Sequence, residues 1–154
     1  MSRSDQAIGL AAANLADVRA IAKVWRESFR TADGAPATVW PLSHFQTRVA
    51  AVIRGACVVT VAKKGRRIVA FSVADPEARV LRQIFVLPAL QDHGVGGRLL
   101  EEAMRVMPTG LTLSTAEANR RARLFYESYG LTTESETVHP TRGHLTCNYR
   151  WRPV

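Results

Sequence analysis

Residues 56–87 constrain the fold more than any other part of the chain, because the apolar pattern changes period there. Up to Arg54 the apolar side chains recur at helical spacing. From Ala56 they come in β-branched runs: 56-ACVVTVAK-63, 68-IVAFSVAD-75 and 79-RVLRQIFVL-87. The turn residues Lys64-Gly65-Arg66-Arg67 join the first two runs, Pro76 ends the second, and Pro88 ends the third. Runs with connections this short pair with their sequence neighbours, so the segment predicts an antiparallel meander.

The flanking segments predict what covers that sheet. Residues 7–13 (AIGLAAA) read as a short first strand. Residues 15–30 place Leu15, Val18, Ile21, Ala22, Trp25 and Phe29 on one stripe, with Asn14 as N-cap. The stretch 31–43 carries Gly34, Pro36 and Pro41 and reads as a loop. A second helix is expected from Ser43, as its cap, to Arg54, with Phe45, Val49, Val52 and Ile53 inward. Residues 95–107 put Val95, Leu99, Leu100, Ala103 and Met107 on a third helix that Pro108 ends. Residues 110–115 form a strand and 118–129 a helix closed by Gly130, with last strands at 131–138 and 145–152. Helices therefore cover both faces of a mostly antiparallel sheet. The expectation is a mixed α/β, α+β-like chain, a single domain over 1–154.

Charge narrows the partners only partly. Twenty-one basic residues against 13 acidic ones leave a formal charge of +8. Such a field favours polyanions, either nucleic acid or a ligand with several phosphates, and is equally compatible with an Arg-rich composition. No stretch combines a basic face with interleaved aromatics, so nucleic acid is not an expected partner. No apolar run reaches the ~20 residues that cross a bilayer, and polar residues interrupt the N-terminal segment, so neither a membrane span nor a signal peptide is expected. Cys57 and Cys147 lie far apart in apolar runs, without metal-ligand spacing. They read as buried thiols of a cytoplasmic protein, and no metal is expected.

Between the meander and the third helix lies 91-QDHGVGG-97, with three glycines in four residues. A helix start leaves N–H groups unpaired at a positive dipole end, and glycines let an anion approach them. A tight strand-to-helix turn needs glycines too. The glycines alone leave both readings open. A Walker A loop is excluded, since no lysine follows, and a dinucleotide fingerprint is excluded by the glycine spacing and the preceding meander.

The wider pattern goes further. Gln91, Gly94 and Gly96 give Q-x-x-G-x-G after a strand ending Val86-Leu87-Pro88, with Leu99-Leu100 behind. Asn119, Ala122, Phe125, Tyr126 and Gly130 give N-x-x-A-x-x-F-Y-x-x-x-G on the fourth helix, with Leu131 where a Phe is usual. On these two motifs the chain resembles the GCN5-related N-acetyltransferase (GNAT) superfamily, and the element order over 7–152 agrees.

The resemblance implies a GNAT fold, with a sheet of six to seven strands flanked by about four helices. It implies acetyl-CoA as acetyl donor and direct transfer to a primary amine of a small molecule, amino acid or peptide. The chain would then be monomeric or homodimeric. By the same resemblance Ile84, Phe85 and Val86 would line the pantetheine arm. The loop Gln91, Asp92, His93, Gly94, Val95, Gly96, Gly97 and Arg98 would hold the pyrophosphate, and Asn119 would touch CoA. Tyr126 is the implied general acid for the departing thiolate. Asn119 has helix capping as a competing role, Arg98 has plain solvation, and Tyr129 reads as core pointing elsewhere.

A general base is harder to find, because 79-RVLRQIFVL-87 has neither a carboxylate nor a histidine. Glu117, Glu134, Glu136, His139 and His144 are the candidates, alongside a water relay. The family's acceptor pocket maps onto about 25–45 and 133–146, which contain Trp25, Phe29, Asp33, Trp40, His44, His139, Arg142 and His144. Arg142 favours an acceptor with a carboxylate or phosphate. Two alternatives remain beside a small-molecule enzyme: an acyl-CoA sensor without turnover, and a protein N-terminal or lysine acetyltransferase.

Overall fold

The computed structural model describes residues 7–32, 35 and 40–154. Seven strands form one sheet: β1 (Ile8–Ala12), β2 (Val58–Lys64), β3 (Arg67–Asp75), β4 (Val80–Val86), β5 (Leu111–Ala116), β6 (Thr132–Val138) and β7 (Leu145–Trp151). Their order in space is β1-β2-β3-β4-β5-β7-β6. Every neighbouring pair is antiparallel except β4 and β5. The helices are α1 (Val18–Thr31), α2 (Leu42–Arg54), α3 (Val95–Val106) and α4 (Arg120–Ser128). The mixed sheet and flanking helices are those expected.

Alternation along the meander sorts the helices onto two faces. Phe71, Val73 and Phe85 point to one face, where Ile21, Trp25, Phe45 and Val49 from α1 and α2 cover them. Ala70, Ala74, Ile84 and Val86 point to the other, beneath Val95, Leu99, Leu100 and Ala103 of α3. All five residues of the expected α3 stripe, Met107 included, are buried. Each large apolar side chain so placed stabilises the fold by about 1.5–3 kcal/mol. Tyr126 on α4 packs into the same second cluster, against Tyr149 of β7.

Local signals set most of the helix ends. Asn14 caps as expected: its Oδ1 accepts from the Ala16 N–H at 2.9 Å, and Asp17 Oδ2 accepts from the Asn14 N–H at 3.0 Å. The helical turn this closes is a 3-10 turn, Leu15–Asp17, and α1 follows it. The second helix corrects its expectation. It starts one residue earlier, after Pro41, and no side chain caps it; the Ser43 carbonyl accepts from Thr47 Oγ1 inside the helix. Gly130 ends α4 in the left-handed region, at φ +84. Cys147 is buried, whereas Cys57 is only half-buried. Among the described residues no helix is long and apolar enough to cross a membrane.

Candidate functional site

The sheet comes apart between β4 and β5. These strands are joined by the single pair Val80↔Thr112, while every other neighbouring pair continues along most of its length. A bulge in β4 prepares the parting. The register with β3 shifts between Val73 and Ala74, which leaves Arg82 without a partner. Before the bulge the odd-numbered residues face β5, as the Thr112 N–H donating to the Arg79 carbonyl at 2.9 Å shows. After it they face β3, since the Leu87 N–H donates to the Val69 carbonyl at 2.9 Å. The backbone groups of Ile84 and Val86 are therefore aimed at the gap, where β5 has already diverged. One of them is engaged: the Val86 carbonyl accepts from Ser28 Oγ at 2.9 Å and from Gln91 Nε2 at 3.2 Å. The N–H groups of Ile84 and Val86 remain turned to the opening.

A cleft of about 1160 Å³ runs through this gap and joins the two faces of the sheet. Its α3–α4 end carries the glycine loop, in which each glycine has a separate reason. Gly94 is the residue before α3, at φ +79, and a Cβ there would meet nothing within 4 Å. At Gly96 a Cβ would come 3.3 Å from the Phe125 ring and 3.6 Å from Val86. At Gly97 it would lie 1.8 Å from the Tyr129 hydroxyl oxygen, so the first turn of α3 and the aromatic face of α4 touch through bare backbone. This corrects the reading of Tyr129. It packs on the core, yet its hydroxyl reaches the start of α3 and it forms part of the cleft wall. No side chain caps α3, so its first N–H groups face the cleft mouth.

The loop's side chains are mostly employed in holding it. Gln91 ties it back to β4, and Asp92, itself at φ +67, pairs with Arg121 of α4 at 2.6 Å. His93, Val95 and Arg98 do not line the cleft: His93 is exposed, Val95 is in the core, and Arg98 donates to the Ile8 carbonyl on β1. Asn119 caps α4, its Oδ1 accepting from the Ala122 N–H at 3.2 Å, and it borders the cleft as well.

Tyr126 is 7% exposed, and among the described residues its hydroxyl has no hydrogen-bond partner. Burial, with the neighbouring Tyr149 phenol adding to it, pushes its pKa well above the ordinary tyrosine range. The phenol therefore stays protonated, facing the cleft.

Of the candidate bases, only the two histidines reach the cleft. Glu117 is paired with Arg123 at 3.5 Å and Glu134 with Arg150 at 2.6 Å. Glu136 lies on the exposed strand β6, and none of the three borders the opening. His139 and His144 stack at 4.8 Å across the β6–β7 turn. His139 Nδ1 accepts from the backbone N–H groups of Thr141 and Arg142, at 3.3 and 3.1 Å, so it organises that turn. His144 has its pKa lowered, first by burial and then by the charge of Arg142, which favours the neutral ring.

The α1–α2 end of the cleft is aromatic. Trp40, 38% exposed, stacks on His44 at 4.8 Å, and Phe29 lies 5.7 Å from Trp40. Trp25, only 3% exposed, is a core residue that forms the floor between Phe45, Phe71 and Phe85. Asp33 lies outside the described residues. Among the cleft residues that went unnoticed in the sequence are Ser28 and Arg48. Both had a signal: Ser28 is a small polar residue on the buried stripe of α1, and Arg48 follows His44 by one helical turn. A second concavity, about 710 Å³, lies between α1 and the β2–β3 turn. It gathers Arg19, Lys23 and Arg26 with Lys63, Arg66 and Arg67, but has none of the gap's unpaired backbone.

Comparison with known proteins agrees with this geometry. The family model of the acetyltransferase (GNAT) domain matches residues 55–132, half of the chain. The solved structure of a GCN5-related N-acetyltransferase from Rhodopseudomonas palustris superposes with a TM-score of 0.78 at 15% identity, covering 99% of this chain and 98% of that one. yncA from Salmonella typhimurium, solved with its cofactor acetyl-CoA, gives 0.72 at 17% identity, covering 95% and 94%. These two show the fold. In sequence, the uncharacterized N-acetyltransferase YhfO of Bacillus subtilis is 36% identical over 72 residues, which is 44% of this chain and 48% of the relative. The match thus spans about half the length of that relative. Since the family model covers the meander, the glycine loop and the helix of Tyr126 together, the chain belongs to the GNAT acetyltransferase domain family.

Proposed function

We propose that the protein transfers an acetyl group from acetyl-CoA to a primary amine, with both substrates held in the cleft together. One coincidence carries this reading: aimed β4 amides, an uncapped helix start and a buried, protonated phenol all open on the same cleft in a member of this family. The fit to the donor is good. The gap beside Ile84 and Val86 suits an extended arm rich in amides, and the open space over Gly94 suits a pyrophosphate against the first N–H groups of α3.

Acetyl-CoA supplies an acyl group activated as a thioester. The Ile84 or Val86 N–H donates to the carbonyl oxygen as negative charge develops on it, a contact that strengthens only as reaction proceeds. Tyr126 Oη donates its proton to the departing sulfur. In water the phenol is the weaker acid of the two, with pKa about 10 against about 8.5. Burial raises the thiol as well as the phenol, so the mismatch is not left to the phenol alone. His144, held neutral, accepts the proton that the amine loses. The amine enters as its free base, its first proton already given to solvent; one N–C bond forms, one C–S bond breaks, and exchange through water carries the proton on His144 back to the Tyr126 phenolate before the next turnover.

Calorimetric titration with acetyl-CoA tests the donor half. Dissociation constants in the micromolar range are expected, and no binding at millimolar ligand would reject the reading. Thiol release with a panel of amines tests transfer.

A further inference from the structure

Four arginines line the cleft: Arg48, Arg82, Arg121 and Arg142. Two have carboxylate partners, Arg82 with Asp75 at 2.7 Å and Arg121 with Asp92 at 2.6 Å. Arg48 and Arg142 have none among the described residues. Both belong to the acceptor half. The Arg48 Cζ lies 4.8 Å from the Trp25 ring centre, and the Arg142 Cζ lies 5.2 Å from that of Phe29. Trp25 and Phe29 are one turn apart on α1, and both rings pack against Phe45, at 5.6 and 6.3 Å. Two guanidiniums from different elements, α2 and the β6–β7 turn, are thus set over adjoining rings on one wall.

Aromatic stacking fixes the plane of a guanidinium and leaves its N–H fork free for a planar oxyanion. Two such cations side by side repel each other, and an anion between them removes that repulsion while taking charge-assisted hydrogen bonds from both. The same wall leads to the reaction centre, because the Trp25 ring stacks on Phe85 at 6.1 Å, between the Ile84 and Val86 amides on β4.

We propose that Arg48 and Arg142 form the acceptor's anchor, and that the acceptor is a small amine bearing a compact oxyanion, as an amino acid does. Resting on the acetyltransferase reading, this names the acceptor's class. Protein tails rich in lysine are disfavoured by the same two charges.

The test uses the full chain and matched acceptors: α-amino acids, the corresponding aminoalkyl phosphonates, and the neutral amino-acid carboxamides. The kcat/KM of oxyanion-bearing acceptors is expected to exceed that of their carboxamides by about tenfold or more, the scale of a charge-assisted contact. The carboxylate-to-phosphonate ratio then identifies the oxyanion. Arg142→Gln and, separately, Arg48→Met, which keeps the apolar stem over Trp25, should move the oxyanion-to-carboxamide ratio towards one. Arg142→Lys should restore part of it. Calorimetry on protein saturated with CoA gives a second readout: the amino acid binds and its carboxamide binds at least about tenfold more weakly. Equal use of neutral and anionic amines, faster use of a lysine-rich peptide, or no binding of any oxyanion-bearing amine at millimolar concentration overturns the proposal. Acetyl-CoA binding is measured alongside: if it is present in such a case, only the acceptor class falls, and if it is absent, the transferase reading falls too.

Discussion

Burial acts on Tyr126 and His144 so that each stays neutral. A tyrosine does this by holding its proton, so its pKa rises, and a histidine by refusing one, so its pKa falls. The two residues are thereby set in the forms that an acid and a base need at neutral pH. Since the Tyr126 hydroxyl has no partner among the described residues, Tyr126→Phe removes no fold-stabilising hydrogen bond. It is expected to lower kcat by about a hundredfold or more, the range of general acid catalysis, with acetyl-CoA affinity nearly unchanged. Turnover at the wild-type rate would remove Tyr126 from the chemistry. For His144 the sign is fixed by its lowered pKa. The folded protein binds fewer protons there than the unfolded chain does. Stability from this group is therefore complete above the unfolded value, about 6.5, and is lost as pH falls through the lower folded value. Activity that needs the neutral ring loses its base over that same acid range. His144→Gln should flatten the acid side of the stability profile and abolish that limb in the pH dependence of kcat. Identical profiles in both proteins would assign the proton to water instead.

At the scale of elements, the junction of α3 with α4 decides how the glycine loop is built. A Cβ at Gly97 would overlap the Tyr129 hydroxyl just past α4, and one at Gly96 would press on the Phe125 ring at 3.3 Å. Gly97→Ala forces the Tyr129 ring off the start of α3, and overpacking of this kind costs about 1–3 kcal/mol. Tyr129→Leu should relieve most of it, so the double variant is expected to be more stable than the sum of the two single changes predicts. Strict additivity in denaturant midpoints would show that Tyr129 is not what Gly97 accommodates. This junction also marks the limit of what was legible in the sequence. Periodicity found four of the five buried residues of α3, missing Gly97, and the short turns gave the pairing of β2, β3 and β4. Those signals are local. The position of Tyr129 depends on how two helices separated by 13 residues, 107–119, approach each other, and the bulge at Arg82 depends on register with another strand. Ser28 and Arg48 became visible only when α1 and α2 were laid against β4. Their own segments show only that Ser28 sits on the buried stripe of α1 and that Arg48 shares a helix face with His44; that both meet one cleft needs the packed fold.

For the molecule as a whole, the gap between β4 and β5 divides the sheet's hydrogen bonding into two parts, β1 to β4 and β5 to β7. What holds the parts together is mainly side-chain packing: Leu81 of β4, Leu100 and Ala103 of α3, and Met107 just after it share one cluster with Leu111, Leu113, Cys147 and Tyr149 beyond the gap. Apolar packing is not directional, so it tolerates a splay that backbone hydrogen bonding would close. A donor lying in the gap would add hydrogen bonds to β4 and an anion to the start of α3, which packs on the first part, and would meet the second part through Tyr126, which packs on β7. Ligand at 100 times its dissociation constant stabilises the native state by about 2.7 kcal/mol, which in a chain of this size raises Tm by roughly 5–10 °C. Two features distinguish this linkage from simple mass action. Amide exchange should slow most at Ile84 and Val86, the residues aimed into the gap, and slowing should extend to β5. CoA, which has both the arm and the phosphates, should reproduce the effect, whereas a nucleotide with the phosphates but no arm should protect the start of α3 and leave Ile84 and Val86 exchanging as before. Protection of the α3 start by both ligands, with no change at β4 under either, would mean that the arm does not lie between the strands.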